Sequence, residues 1–143
     1  MHLTQLSVFL ENKPGRLEHV LQVLANEQID IVTLTIAELR DFGILRLIVD
    51  RPEAAFAALR REHITSSKTE VLPVAVDIKP GSLLRLLDIL SRHEINIEYM
   101  YALSGKHESQ PIMIFRFEDL AAAREALKEG DCTILSCNTI QNG

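Results

Sequence analysis

The sequence predicts an α+β protein built as two tandem copies of one β-α-β-β-α-β unit, residues 1–71 and 72–143. Three observations carry this expectation. Laying position n over n+66 pairs Lys13 with Lys79, Pro14 with Pro80, Gly15 with Gly81, Leu17 with Leu83, Leu21 with Leu87 and Leu24 with Leu90. The match then continues: Ile29-Asp30-Ile31 falls on Ile95-Asn96-Ile97, and after a two-residue insertion Leu47-Ile48-Val49-Asp50 falls on Phe115-Arg116-Phe117-Glu118. Self-similarity at a fixed period marks an internal repeat. Within each copy, apolar spacing changes between strand-like alternation and helical faces in the same order.

In the first copy Leu6, Val8 and Leu10 alternate as in a strand, and Leu17, Val20, Leu21 and Leu24 form one helical face. The β-branched run from Ile29 to Ile36 and the alternating Leu45, Leu47 and Val49 predict two adjacent strands. Pro52 then opens an Ala-rich helix through Leu59, since proline suits a first helical turn, and Ile64 to Val71 closes the unit as a strand. The second copy repeats the order over Val74–Ile78, Leu83–Leu90, Ile95–Leu103, Pro111–Phe117, Leu120–Leu127 and Thr133–Ile140. This is the ferredoxin-like split βαβ sandwich, an antiparallel sheet with helices on one face.

The face away from the helices is expected to carry Ile44, Ile48, Ile112 and Ile114, which a sheet with one wet face would not place there. A unit of about 70 residues also has a small core, worth roughly 3 to 5 kcal/mol. Both points predict copies that pack on each other, and a homodimer.

Composition limits the function. Hydrophobic residues make up 47% of the 143 and charged residues 24%, with only 6 Gly and 5 Pro, the profile of a folded chain. A net charge of −5 leaves no basic excess for phosphates, so nucleic acid is not an expected partner. No apolar run approaches ~18 residues and "MHLTQLSVFL" has no signal-peptide pattern, so no membrane partner is expected and the expected location is cytoplasmic. Cys132 and Cys137 lack the spacing of a zinc or redox site and read as reduced cysteines in or near a strand.

The segments "ENKPGRL" and "DIKPGSL" each end an apolar run. Proline in this place is expected at a helix first turn, glycine is expected to admit a close neighbour, and the N–H groups of Gly15, Arg16 and Leu17 are expected to point outward as donors. Such a helix start attracts anions, but the dipole adds only about 0.3 to 1 kcal/mol, so a bound carboxylate needs further contacts.

These corners, Asn12-Lys13-Pro14-Gly15-Arg16-Leu17 above all, together with the strand entries Ile29-Asp30-Ile31 and Ile95-Asn96-Ile97, resemble the ACT domain. The resemblance covers nearly the whole chain as a tandem pair. It implies a regulatory module that binds a small-molecule amino acid where the corner of one module meets the second strand of another, and a partner among enzymes of amino-acid metabolism. It further implies ligand-binding roles for Asn12, Pro14, Gly15, Arg16, Leu17, Asp30 and Ile31, and for Asn96, Ile97, Glu98, Tyr99 and Tyr101 of the second copy. Tyr99 and Tyr101 are expected on one face of their strand, with Glu98 and Met100 on the other. The second corner, Lys79, Pro80, Gly81, Ser82 and Leu83, is expected to be weaker, because Ile78 stands where the first copy has Asn12.

Other readings have less to stand on. The five histidines, His2, His19, His63, His93 and His107, are scattered, no Ser-His-Asp or Cys-His set can be specified, and no metal or cofactor is implied. Phe115 and Phe117 occupy the strand that carries stacking aromatics in RNA-recognition modules, yet both share the helix-facing apolar phase and read as core. A protein-interaction subunit without a small ligand explains the fold equally well. It does not require Asn12 beside a Pro-Gly corner.

Overall fold

The computed structural model describes residues 3–38, 40–130 and 132–141. His2 lies outside the described residues. By its contacts the chain divides into two compact units, residues 4–69 and 70–140 with short terminal additions. The elements run β1 (Leu3–Glu11), α1 (Arg16–Asn26), β2 (Ile31–Glu38), β3 (Phe42–Val49), α2 (Pro52–Arg61), β4 (Ser66–Ala75), α3 (Ser82–Arg92), β5 (Ile97–His107), β6 (Gln110–Phe117), α4 (Leu120–Ala126), β7 (Thr133–Ile134) and α5 (Cys137–Gln141).

In the first unit the strand order is β2-β3-β1 with the beginning of β4 beside β1, where the Phe9 N–H donates to the Thr65 carbonyl at 3.0 Å. In the second unit β7 pairs the end of β4, which neighbours β6 and then β5. Both orders are those of a ferredoxin-like unit, and every described pairing is antiparallel.

The helices cover one face of each sheet because their apolar stripes match the inward strand positions. Val20, Val23 and Leu24 of α1 and Ala55, Ala58 and Leu59 of α2 bury against Leu6, Val8, Leu45, Leu47 and Val49. Leu86 and Leu90 of α3 pack with Leu72, Val74, Phe115 and Phe117. Full burial of each large side chain contributes about 1.5 to 3 kcal/mol. Phe115 and Phe117 are wholly buried with ring centroids 5.3 Å apart, so they are core groups and no base can stack on them. On the opposite faces Ile48, Ile112 and Ile114 are buried within the chain as well, while Ile44 is half-buried.

Three expected element boundaries are corrected. The strands expected at 64–71 and 74–78 are one strand, Ser66–Ala75. The intervening Leu72-Pro73 has no turn chemistry, and the Pro73 carbonyl still serves the ladder by accepting the Leu135 N–H at 2.9 Å. The strand expected to end at Leu103 runs on to His107 and turns over Glu108 and Ser109, both at positive φ (48° and 69°), as a tight hairpin requires. The last strand is only Thr133–Ile134; Ser136 then starts a helix, its hydroxyl accepting the Thr139 N–H at 3.3 Å, and Cys137 belongs to that helix. Neither cysteine is disulfide-bonded.

Candidate functional site

The repeated Lys-Pro-Gly segment is a type II turn placed before a helix, in both copies. The Arg16 N–H donates to the Lys13 carbonyl at 3.3 Å, and Gly15 between them has φ 86° and ψ −10°. Ser82 and Lys79 make the same bond at 3.1 Å around Gly81, with φ 84° and ψ −4°. Proline at the second turn position and glycine at the third is the signature of that turn. One expectation changes accordingly. Pro14 and Pro80 lie outside the helices, which begin at Arg16 and Ser82. Glycine is needed for its left-handed φ, and a Cβ on Gly15 would meet nothing of this chain within 4 Å.

The turn also spends one expected donor, the N–H of Arg16. Among the described residues the N–H groups of Gly15 and Leu17 keep no backbone partner, and the Leu17 side chain packs on the core. Asn12 is exposed. Its backbone N–H donates to the Asp41 carbonyl at 2.9 Å and its side-chain amide reaches the Arg40 carbonyl at 3.5 Å, which ties the corner to the β2–β3 hairpin. Glu11 stands beside Lys13 at 3.2 Å and Arg16 at 3.9 Å, so both cations of the corner share one carboxylate. In the second corner Ile78 is 67% exposed and Lys79 pairs with Asp77 at 3.8 Å. Ser82 is buried, its hydroxyl accepting from Arg85 Nη2 at 3.1 Å. Leu83 is partly exposed.

The strand-entry residues sit elsewhere. Asp30 is exposed past the far end of α1, and its backbone is locked to Asp50: its N–H donates to Asp50 Oδ1 at 3.0 Å and its carbonyl accepts the Asp50 N–H at 3.1 Å. An 11-residue helix spans about 16 Å, so one module does not bring Asn12 and Asp30 together. Ile31 and Ile97 open β2 and β5 and, partly buried, pack against their cores. Asn96 is exposed. Both strands carry an irregularity at the same place, between Ile31 and Thr33 and between Ile97 and Tyr99. It leaves Glu98 unpaired in the ladder and 3.6 Å from Arg116, so the expected two-sided alternation breaks there. Tyr99 and Tyr101 lie opposite Arg116 and Ile114, on the face away from Phe115 and Phe117, and are half-buried.

A groove beside each corner was not evident from the sequence. In the second unit a cavity of about 280 Å³ runs along α3, lined by Val76, Ser82, Arg85, Leu86, Ile89 and Cys132 among others. Its counterpart in the first unit is lined by Leu10, Arg16, His19, Val20 and Ile64 among others. The lining residues come from segments some fifty positions apart. Only the repeat register could have linked the two sets. Among the described residues no group of three His, Cys, Asp or Glu is placed to hold a metal ion.

Residues 1–140 match the family described as an ACT domain pair. The chain belongs to that family. As an ACT domain pair it is a regulatory module, and no described helix is long and apolar enough to cross a membrane. Among solved structures, protein BT0572 from Bacteroides thetaiotaomicron is 38% identical, with a TM-score of 0.91 over 100% of this chain and 98% of its own. The ligand-free regulatory subunit of aspartate kinase from Thermus thermophilus is 18% identical, with a TM-score of 0.58 over 88% and 91% of the two chains. The regulatory subunit of aspartate kinase from Thermus flavus is 15% identical, with a TM-score of 0.61 over 88% and 90%. At 15% to 18% identity the likeness is one of fold. No curated protein matches this ACT pair.

Proposed function

We propose that this ACT domain pair is a non-catalytic regulator that binds a small amino acid at its Asn12 corner, completed by the second strand of another ACT module. The observation that carries the reading is the separation of Asn12 from Asp30 by the length of α1. A zwitterion needs a carboxylate site and an ammonium site a few ångströms apart, and one module has its two candidate halves at opposite ends of a helix. The Gly15 and Leu17 N–H groups suit the carboxylate. Asp30, or Asn96 with the Tyr99 and Tyr101 edge, suits the rest of the ligand. Its partner would be an enzyme of amino-acid metabolism, and binding would act by differential affinity for two packings of the regulator.

Thermal-shift screening of the twenty amino acids tests this. A hundredfold excess of ligand over Kd adds about 2.7 kcal/mol of stability, enough to move Tm by several degrees. The expected result is a shift with one amino acid or a related few, diminished in Asn12→Ala, whose side chain is exposed and whose loss should leave the fold intact. If none of the twenty stabilises the protein at millimolar concentration, the sensor reading fails.

A second reading, a protein-interaction subunit, is favoured by a specific feature of the first unit. Phe9 and Phe42 stack with ring centroids 4.8 Å apart while remaining 47% and 41% exposed. Leu34 and Ile36 on the edge strand β2 are 41% and 46% exposed, with no charged residue from Ile31 to Ala37. An uncharged apolar edge invites strand pairing, and for this chain a second copy is the simplest occupant, giving the proposed homodimer.

A further inference from the structure

The cavity along α3 has an apolar floor and, near the turn, an arginine outside the ion pairs of its rim. Val76, Leu86 and Ile89 are 6%, 3% and 8% exposed and form its floor. At one end Arg92 pairs with Asp88 at 3.0 Å and with Glu129 at 3.9 Å, and His93 meets Glu129 at 2.8 Å. At the other end Asp77 is engaged by Lys79 at 3.8 Å. Arg85 differs from these cations: among the described residues it faces no carboxylate within ion-pair distance, and its Nη2 donates only to the buried Ser82 hydroxyl. That bond aims the guanidinium at the turn, where Arg85 Nη1 would lie 3.4 Å from a Cβ on Gly81. Asp88 lies one helical turn from Arg85, but it is held by Arg92, and Glu129 by Arg92 and His93, so neither carboxylate pairs with the Arg85 guanidinium.

The two repeats line this groove with different residues. Ser82 and Arg85 fall on Arg16 and His19 of the first copy, and with the two-residue insertion Gly130 falls on Glu62. In the first copy the longer Arg16 reaches toward Glu11 at 3.9 Å and a glutamate stands where the second copy has glycine. In the second copy both positions are small, and a Cβ on Gly130 would lie 2.8 Å from Ile89 Cδ1. A single methyl group there would push Ile89 into the cavity.

We propose that this cavity is a second ligand site, separate from the Asn12 corner, for a small carboxylate with a short branched aliphatic tail. The carboxylate takes the two-pronged guanidinium of Arg85, and the tail lies on Leu86 and Ile89. The site completes the second corner with a side chain that the Lys-Pro-Gly motif does not contain. It does not depend on amino-acid binding at Asn12.

The test is a titration of the full chain followed by amide NMR, with isovalerate, with valine and with 3-methylbutanol. Isovalerate should saturate in the millimolar range and move the Gly81, Arg85 and Gly130 amides. Arg85→Gln should weaken it at least about tenfold, the usual loss for a hydrogen-bonded charge. Gly130→Ala, which displaces only the flexible end of Ile89, should weaken it too, and Asn12→Ala should not. Valine saturating through the same residues as isovalerate would extend the ligand class to amino acids, and isovalerate without valine would restrict it to carboxylates lacking an ammonium group; either supports the site. Failure of isovalerate to saturate, equal binding of 3-methylbutanol, binding indifferent to both cavity variants, or loss in Asn12→Ala would each overturn it.

Discussion

Gly15 and Gly81 hold the same left-handed conformation in two copies whose neighbouring side chains differ, so the backbone alone is reason enough for glycine there. Putting an L side chain at such a φ costs about 1 to 2 kcal/mol. Gly15→Ala should therefore lower unfolding free energy by roughly that amount, with nothing to clash against its Cβ, as measured by urea denaturation. Gly15→Asn should lose less, because asparagine tolerates this region better. If alanine proved neutral, the turn assignment would be wrong. It follows that a glycine variant cannot report on ligand binding, whereas Asn12→Ala can. The corner was legible in the sequence as a recurring motif, but its turn type was not, because Pro-Gly is compatible with either a turn or a helix start.

At the level of elements, three helices end in the same way. Gln28, His63 and Glu94 follow α1, α2 and α3 at φ 55°, 58° and 55°. In each case the next residue, Ile29, Ile64 or Ile95, donates its N–H back to Leu24, Leu59 or Leu90. This is the Schellman closure, and its hydrophobic partner is that isoleucine. Glycine is the favoured residue at such a C′ position, so Gln28→Gly and Glu94→Gly should each stabilise the protein by about 0.5 to 1 kcal/mol, seen as a higher urea midpoint at unchanged m. A drop in midpoint would contradict the assignment. The first isoleucine of Ile-Asp-Ile and Ile-Asn-Ile is thus explained by a helix ending. Helices and central strands could be read from apolar periodicity because each buries one face. The junction near Leu72-Pro73 could not, since a proline inside a strand reads as a break. Nor could Cys137–Gln141, a helix too short to show a period.

For the whole molecule, the repeat was the most legible feature and the site the least. The match of n to n+66 compares residues at equivalent positions, whereas a binding site joins residues that are not equivalent. Arg85 has no motif around it, and its meaning comes from Gly130 and Cys132, which close the same cavity from another segment. The proposed homodimer is tested at β2: Ile36→Lys should convert it to a monomer in sedimentation equilibrium while leaving the circular dichroism unchanged, because Ile36 is half in solvent already. A dimer that survives would move the interface elsewhere, with Phe9 and Phe42 the next surface to test. β4 carries a different kind of consequence. Tandem duplications commonly leave a spacer that tolerates insertions and lets either half be produced alone. Here the boundary between the two units, Thr69 to Glu70, and the join between the repeats, 71 to 72, both lie inside one ten-residue strand. No spacer separates the units, and a fragment ending at the join would cut a strand in two, so the pair should be expressed and engineered only as one piece.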